Sequence, residues 1–298
     1  MCMFTGEVDV SNTNIFVARV GVAEQLTVYS NTVKLPSTHV RSRVQGTWGD
    51  GTPQVQIQVQ QGTRDARDAQ DVREPKPTSM VLPIPLNGGD ASSVRMVDMS
   101  ADADFFQRLA EAVAVPHTNS RSGANAYLSC SANTLEVHRC GPYSYSVVPD
   151  VAAFENLDGD VFGPSVGLAG ALKERYSAGY AFLVCIIDAS SAFSAFSAFS
   201  PIAYLHPMAS SALFVPTLHE HGSGIGQFAD DWDHRVYSLD TTNDTVLLDG
   251  RKVECVTTRA HAAPVLRWSF AYSRLDWSRL TCRRIKGRQP NGDIWLRP

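Results

Sequence analysis

Asn14-Ile15-Phe16-Val17-Ala18-Arg19-Val20, then Gly21-Val22-Ala23-Glu24, then Gln25-Leu26-Thr27-Val28-Tyr29-Ser30-Asn31-Thr32-Val33-Lys34-Leu35, is the stretch that decides the fold class. Both outer runs are rich in β-branched and aromatic residues, which fit a pleated, half-buried surface. The glycine-led segment between them predicts a turn. The same signals recur along the chain. Met80 to Leu86 is apolar but holds Pro83 and Pro85, so two ladder donors are missing and an edge strand or strap is expected. Val94 to Met99 is another strand candidate. Thr134 to Arg139 pairs with Tyr143 to Val148 through Gly141-Pro142. Further strands are expected at Gly179 to Ile187, Ile202 to Leu205, Leu213 to His221, His234 to Leu239, Thr245 to Leu248, Lys252 to Thr257 and Val265 to Tyr272.

Helical signals are fewer. Asp102 to Val115 carries Phe105, Phe106, Leu109, Ala112 and Val113 at helical spacing, with Ser100 as N-cap and Pro116 as terminator. Val151 to Leu157, capped by Asp150, and Val166 to Tyr176 predict two shorter helices. The expected class is therefore α+β, mostly antiparallel β with a few flanking helices. Two polar or repetitive stretches read as insertions. Residues 36–79 are rich in Gln, Arg, Asp and Gly, and residues 189–200 contain a repeated Ala-Phe-Ser unit. The expected organisation is one β-rich domain over 1–239, then an appended β segment and a basic tail over 240–298.

Bulk properties narrow the function classes. The 298 residues are 44% hydrophobic and 19% charged, with a formal net charge of -4. Mean hydropathy is -0.13. Nothing basic in the whole would recruit nucleic acid. The exception is the tail, where Arg259, Arg267, Arg274, Arg279, Arg283, Arg284, Lys286, Arg288 and Arg297 face only Asp276 and Asp293. That run reads as a solvated tail, with contact to phosphate or an acidic partner as the alternative. Trp268, Trp277 and Trp295 could anchor it to the body or to another protein. No secretory leader and no apolar run long enough to cross a bilayer is evident. Cys2, Cys130, Cys140, Cys185, Cys255 and Cys282 are scattered without a C-x-x-C pair. Together these predict reduced thiols and an intracellular, cytoplasmic protein with no membrane partner.

Two constellations carry chemistry. Cys2 directly follows Met1. Trimming of the initiator would leave a thiol and a free α-amine, a nucleophile and a base, on one residue. The order Met-Cys, a strand, and a returning strand that ends in Arg19 resembles the cysteine N-terminal-nucleophile hydrolases. The family follows its Arg with Asn and a nearby Asp, where this chain has Val20, Gly21 and Val22. The resemblance implies a sandwich of that type and amide hydrolysis, with Cys2 attacking a carbonyl. Arg19 would then hold the thiolate by charge.

The second constellation is His206, His219, His221 and His234, with Asp230, Asp231 and Asp233 close by. His219 and His221 stand two apart on an expected strand and so share a face. Imidazoles with a carboxylate suit zinc or iron. The other reading is a set of hydrogen-bonding histidines that orders a sheet end. A further alternative makes one of them a general base. No cofactor is expected unless these histidines converge on a metal. Gly222 to Gly226 is glycine-rich but lacks the strand-to-helix context of a nucleotide site.

Several phrases together also resemble a group of uncharacterised microbial or viral proteins. They are Met-Cys-x-Phe-Thr-Gly, Ser-Asn-Thr-Asn-Ile-Phe, Leu-Pro-Ile-Pro, Leu-Glu-Val-His, His-Pro-Met, Pro-Thr-Leu-His-x-His and Asp-His-x-x-Tyr. The likeness runs from Met1 to about Leu239 and implies no activity. Three functions follow from the sequence: a Cys2-dependent amidohydrolase, a metal-binding protein, or a non-catalytic structural or assembly protein with a protein partner or a second copy of itself.

Overall fold

In the computed structural model, residues 2–4, 8–34, 78–86, 88, 90–114, 129–131, 135–163, 166–176, 178–187, 201–220, 226–239, 251–260, 275–277 and 279–297 are described. In chain order the elements are β1 (Cys2–Phe4), β2 (Asp9–Val20), β3 (Glu24–Lys34), β4 (Thr78–Pro85), β5 (Arg95–Val97), α1 (Phe105–Val113), β6 (Ser129–Ser131), β7 (His138–Cys140) and β8 (Tyr143–Val148). There follow α2 (Gly159–Phe162), α3 (Val166–Arg175), β9 (Tyr180–Ile187), β10 (Ile202–Pro207), β11 (Leu213–Val215) and β12 (His219–Glu220). Last come β13 (Phe228–Ser238), β14 (Val253–Ala260), β15 (Arg279–Pro290) and β16 (Ile294–Leu296). The expected class, β-rich α+β, holds. The expected strands at Thr245 to Leu248 and Val265 to Tyr272, and nearly all of both insertions, lie outside the described residues.

Two large sheets form the body. A six-stranded sheet runs β12-β1-β4-β9-β8-β7, and an eight-stranded sheet runs β14-β15-β13-β2-β3-β10-β5-β6. A small third sheet pairs β11 with β16. The hairpin read from the opening stretch is present, with β2 and β3 paired from Asp9–Lys34 to Val20–Glu24. Gly21 takes a φ of +68 at its turn, a conformation open to glycine at no steric cost. Gly141 does the same between β7 and β8 at φ +54, and an added Cβ there would stand 2.6 Å from the Asp98 carboxylate.

Side-chain alternation explains how the sheets stack. Ile15, Val17 and Tyr29 of the large sheet share one buried cluster with Met3, Val81 and Leu183 of the smaller. Phe16, Ala18 and Val28, on the opposite face, pack with Phe105, Phe106 and Leu109 of α1 and with Trp277. Strand residues one apart point to opposite faces, so the large sheet is buried on both. On the smaller sheet Phe182 meets Phe154 and Tyr176, at the edge of the α2–α3 region, with ring centroids 5.2 and 5.7 Å away. The body is thus layered α1, large sheet, small sheet, helical segment. Among the described residues, no helix is long and apolar enough to cross a membrane.

Three expectations are corrected. β4 is not an edge: it lies between β1 and β9. Its prolines are tolerated because β1 pairs only with Met80 and Val81, while Pro83 and Pro85 lie beyond the end of that short strand. The helix expected from Asp102 starts later, at Phe105, because Ser100–Asp102 forms a 3₁₀ turn first. Asp102 and Asp104 both pair with Arg108 instead of capping. The basic tail is not appended. β15 sits between β14 and β13 inside the large sheet, with Leu280, Arg283 and Ile285 buried and Lys286 and Arg288 facing out.

Candidate functional site: a buried histidine pair and its polar ties

The structure sorts the candidate residues by strand. Cys2 lies in β1, directly in register with His219 of β12 in a parallel pair. The start of the chain and the histidine segment are therefore neighbours. The side chain of Cys2, like Met1 and His221, lies outside the described residues. Arg19 lies near the far end of β2, opposite Gln25, and its guanidinium donates to the Ser211 carbonyl at 2.8 Å.

His206 stands alone on β10, also opposite Gln25. Its strand is separated from His234 by β3 and β2, and its rung is displaced by about six residues, on the order of 20 Å. The ring is buried, and its Nδ1–H donates to the Pro207 carbonyl at 2.9 Å. Burial pushes its pKa down to about 4, so it is neutral at physiological pH. His206 therefore does not share a site with His234 or with His219 beside it.

His219 and His234 do meet. Their Nε2 atoms are 3.2 Å apart, and both residues are buried. His234 sits in the middle of β13, with Thr13 of β2 on one side and Ile285 of β15 on the other. Trp232, two residues earlier and on the same face, packs against both rings, stacked on His219 at 5.1 Å between centroids and tilted to His234 at 4.5 Å. The Arg251 guanidinium lies 5.2 Å from the Trp232 ring centre, a cation–π contact. The acidic residues do not join. Asp233 lies between Trp232 and His234 and so points to the other face, and Asp230 pairs with Arg288 at 3.4 Å. Among the described residues, no group of three or more His, Cys, Asp or Glu is placed to hold a metal ion.

What fixes His219 is the turn at residues 290–293. Asn291 accepts from the His219 N–H at 2.7 Å and donates back to the His219 carbonyl at 2.9 Å. Asp293 accepts from the Thr217 and Leu218 amides at 2.8 and 3.1 Å, and from the Tyr176 hydroxyl. Burial pushes the Asp293 carboxyl up, while these three donors favour its charged form. Burial, and then the nearby Asp293, raise Tyr176 well above the ordinary tyrosine range. Pro290-Asn291-Gly292-Asp293 carries the Asn-Gly turn signal that could have marked this corner.

No family model matches the chain. Among solved structures it is similar to baculovirus P35, at TM-score 0.45 and 13% identity, with 99% of each chain covered. It is also similar to a mutated baculovirus P35 after caspase cleavage, at TM-score 0.43 and 10% identity over 96% of this chain and 99% of that one. The third is a caspase-8/P35 complex, at TM-score 0.36 and 10% identity over 96% of this chain and 90% of that one. The matches named are P35 chains and not N-terminal-nucleophile hydrolases. The Cys2-dependent amidohydrolase expected from sequence is corrected by the chain's own geometry. That chemistry needs the Arg beside the nucleophile, but β1 joins the small sheet and β2 the large one, and Arg19 is engaged with Ser211 at the distant end of β2.

Proposed function

We propose that this chain is a non-catalytic protein that acts by engaging another protein, its sheets serving as a rigid body from which the two inserted segments are presented. One observation supports this most. Thr78, the first residue of β4, and Ile187, the last of β9, are register partners on one rung of the small sheet. The connection 35–77 therefore ends, and the connection 188–200 begins, at the same point of the body. One is mixed in charge and the other carries Phe193, Phe196 and Phe199. Arginine and aromatic side chains, which these segments carry, are enriched at protein interfaces. The buried polar groups support the same reading, since Gln25, Asn291 and Asp293 hydrogen-bond backbone that joins elements. The two sheets between helical segments support the layered sandwich expected from the N-terminal resemblance, without its chemistry.

Caspase-8, seen with P35 in one solved structure, is the first protein to test. The expected result is a stoichiometric complex by size exclusion with light scattering. It should disappear when residues 41–74 are replaced by a short Gly/Ser linker that leaves the thermal melt unchanged. A complex that survives this replacement and a matching one at 189–199 would refute the reading. Absence of any complex with the intact chain would remove caspase-8 as the partner.

A further inference from the structure

The histidine pair bridges two sheets, its Nε2 atoms at hydrogen-bond distance and its rings bent toward one another. A head-on N–H···N bond at this separation places the two ring centres about 5.5 Å apart, because both nitrogens then lie on the line between the rings. The His219 and His234 centroids are 4.8 Å apart, with the planes inclined at 43°. The two Nε2 axes are therefore bent away from collinearity. The 3.2 Å between the nitrogens has a second match. Two imidazole nitrogens bound at about 2.0–2.1 Å to one tetrahedral zinc stand about 3.3 Å apart.

We propose that His219 and His234 supply two ligands of a site for one divalent d-block cation of the zinc class, placed between the two sheets. Imidazole suits such ions, and both ligands are held in advance. His234 is locked in a central strand, and the His219 backbone is bonded on both sides to Asn291. Trp232 covers the pair with an apolar wall, the kind of shell that limits solvent access at metal sites. Its Nε1–H is buried with no hydrogen-bond acceptor among the described residues. A water or chloride on the ion's open positions would provide one.

The surrounding charges set the expected strength. Arg251, on the Trp232 ring, opposes a cation. The Asp293 carboxylate, bonded to the Thr217 and Leu218 amides just before His219, favours one. With two protein ligands the site is open, so it binds more weakly than a closed four-ligand zinc site.

The test uses the full-length, tag-free chain after chelator treatment, titrated with Zn²⁺ by calorimetry and with Co²⁺ by visible absorption. The expected result is saturation near one equivalent, with tetrahedral Co²⁺ bands and a change in tryptophan fluorescence. His219→Gln and His234→Gln should each weaken binding at least about tenfold. His206→Gln, three strands away, should not change it. Because either pair variant could misfold, X-ray absorption at the zinc edge of the intact protein gives an independent readout, with two imidazoles expected around the ion. No saturable binding, binding unchanged in both pair variants, or a zinc spectrum without imidazole would each overturn the proposal.

Discussion

His206 and the His219–His234 pair lie within thirty residues of one another, yet the fold treats them as different materials. His206 is a lone ring in a dry sheet, kept neutral by burial, with its Nδ1–H turned back on its own strand. The pair spans two sheets and is fastened from below by the Asn291–Asp293 turn. Each region has its own polar tie. Around His206 it is Gln25, which accepts from the Phe214 amide at 2.8 Å and donates to the Phe214 carbonyl at 2.6 Å. Around the pair it is Asp293. The contrast teaches that a histidine's role here follows from which strands lie beside it, and not from its neighbours in sequence.

The largest expected effect is at Asp293. Asp293→Ala leaves two buried amides and the Tyr176 hydroxyl without their acceptor, which costs about 3–5 kcal/mol in urea unfolding. A loss below about 1 kcal/mol would dissolve the distinction between the two regions. Next is the acid response of His206. Its folded value of about 4 lies below the ordinary 6.5, so the unfolded chain takes up the proton first as pH falls. The stability is full above 6.5 and is lost progressively between 6.5 and 4, by about 3 kcal/mol in total. His206→Gln should flatten unfolding midpoints across that window, and an unchanged acid slope would contradict the assignment. Gln25→Ala breaks a two-way tie to Phe214 and should cost about 2 kcal/mol by thermal or urea melts. Smallest is Arg19→Ala. The bond to the Ser211 carbonyl is exposed, and its loss should cost less than about 1 kcal/mol.

What the sequence made legible was local. The β2–β3 hairpin, the β7–β8 hairpin and the body of α1 each depend on turn residues and side-chain periods within about twenty positions. What it hid was register across distance. The parallel pairing of Cys2 with His219, and of Thr13 with His234, joins segments more than two hundred residues apart. No local propensity encodes either. Arg283 and Ile285 fall within the run whose charge reads as a solvated tail, and only the pairing of β15 with β13 and β14 buries them. His206 stands thirteen residues from His219 in sequence, yet strands β2 and β3 separate it from His234, which His219 contacts. Of the candidate site residues that are described, His219 and His234 meet. The pair's fasteners, Asn291 and Asp293, lie some seventy residues further along the chain.

Asn291 and Asp293 make the histidine segment a fixed joint of the body. Hydrogen exchange at the Thr217, Leu218 and His219 amides tests it most directly. The account predicts protection close to that of the central strands β9 and β13, opening only with global unfolding, and a sharp loss of protection in Asp293→Ala. Exchange within minutes in the unaltered protein, while those strands stay protected, would contradict it.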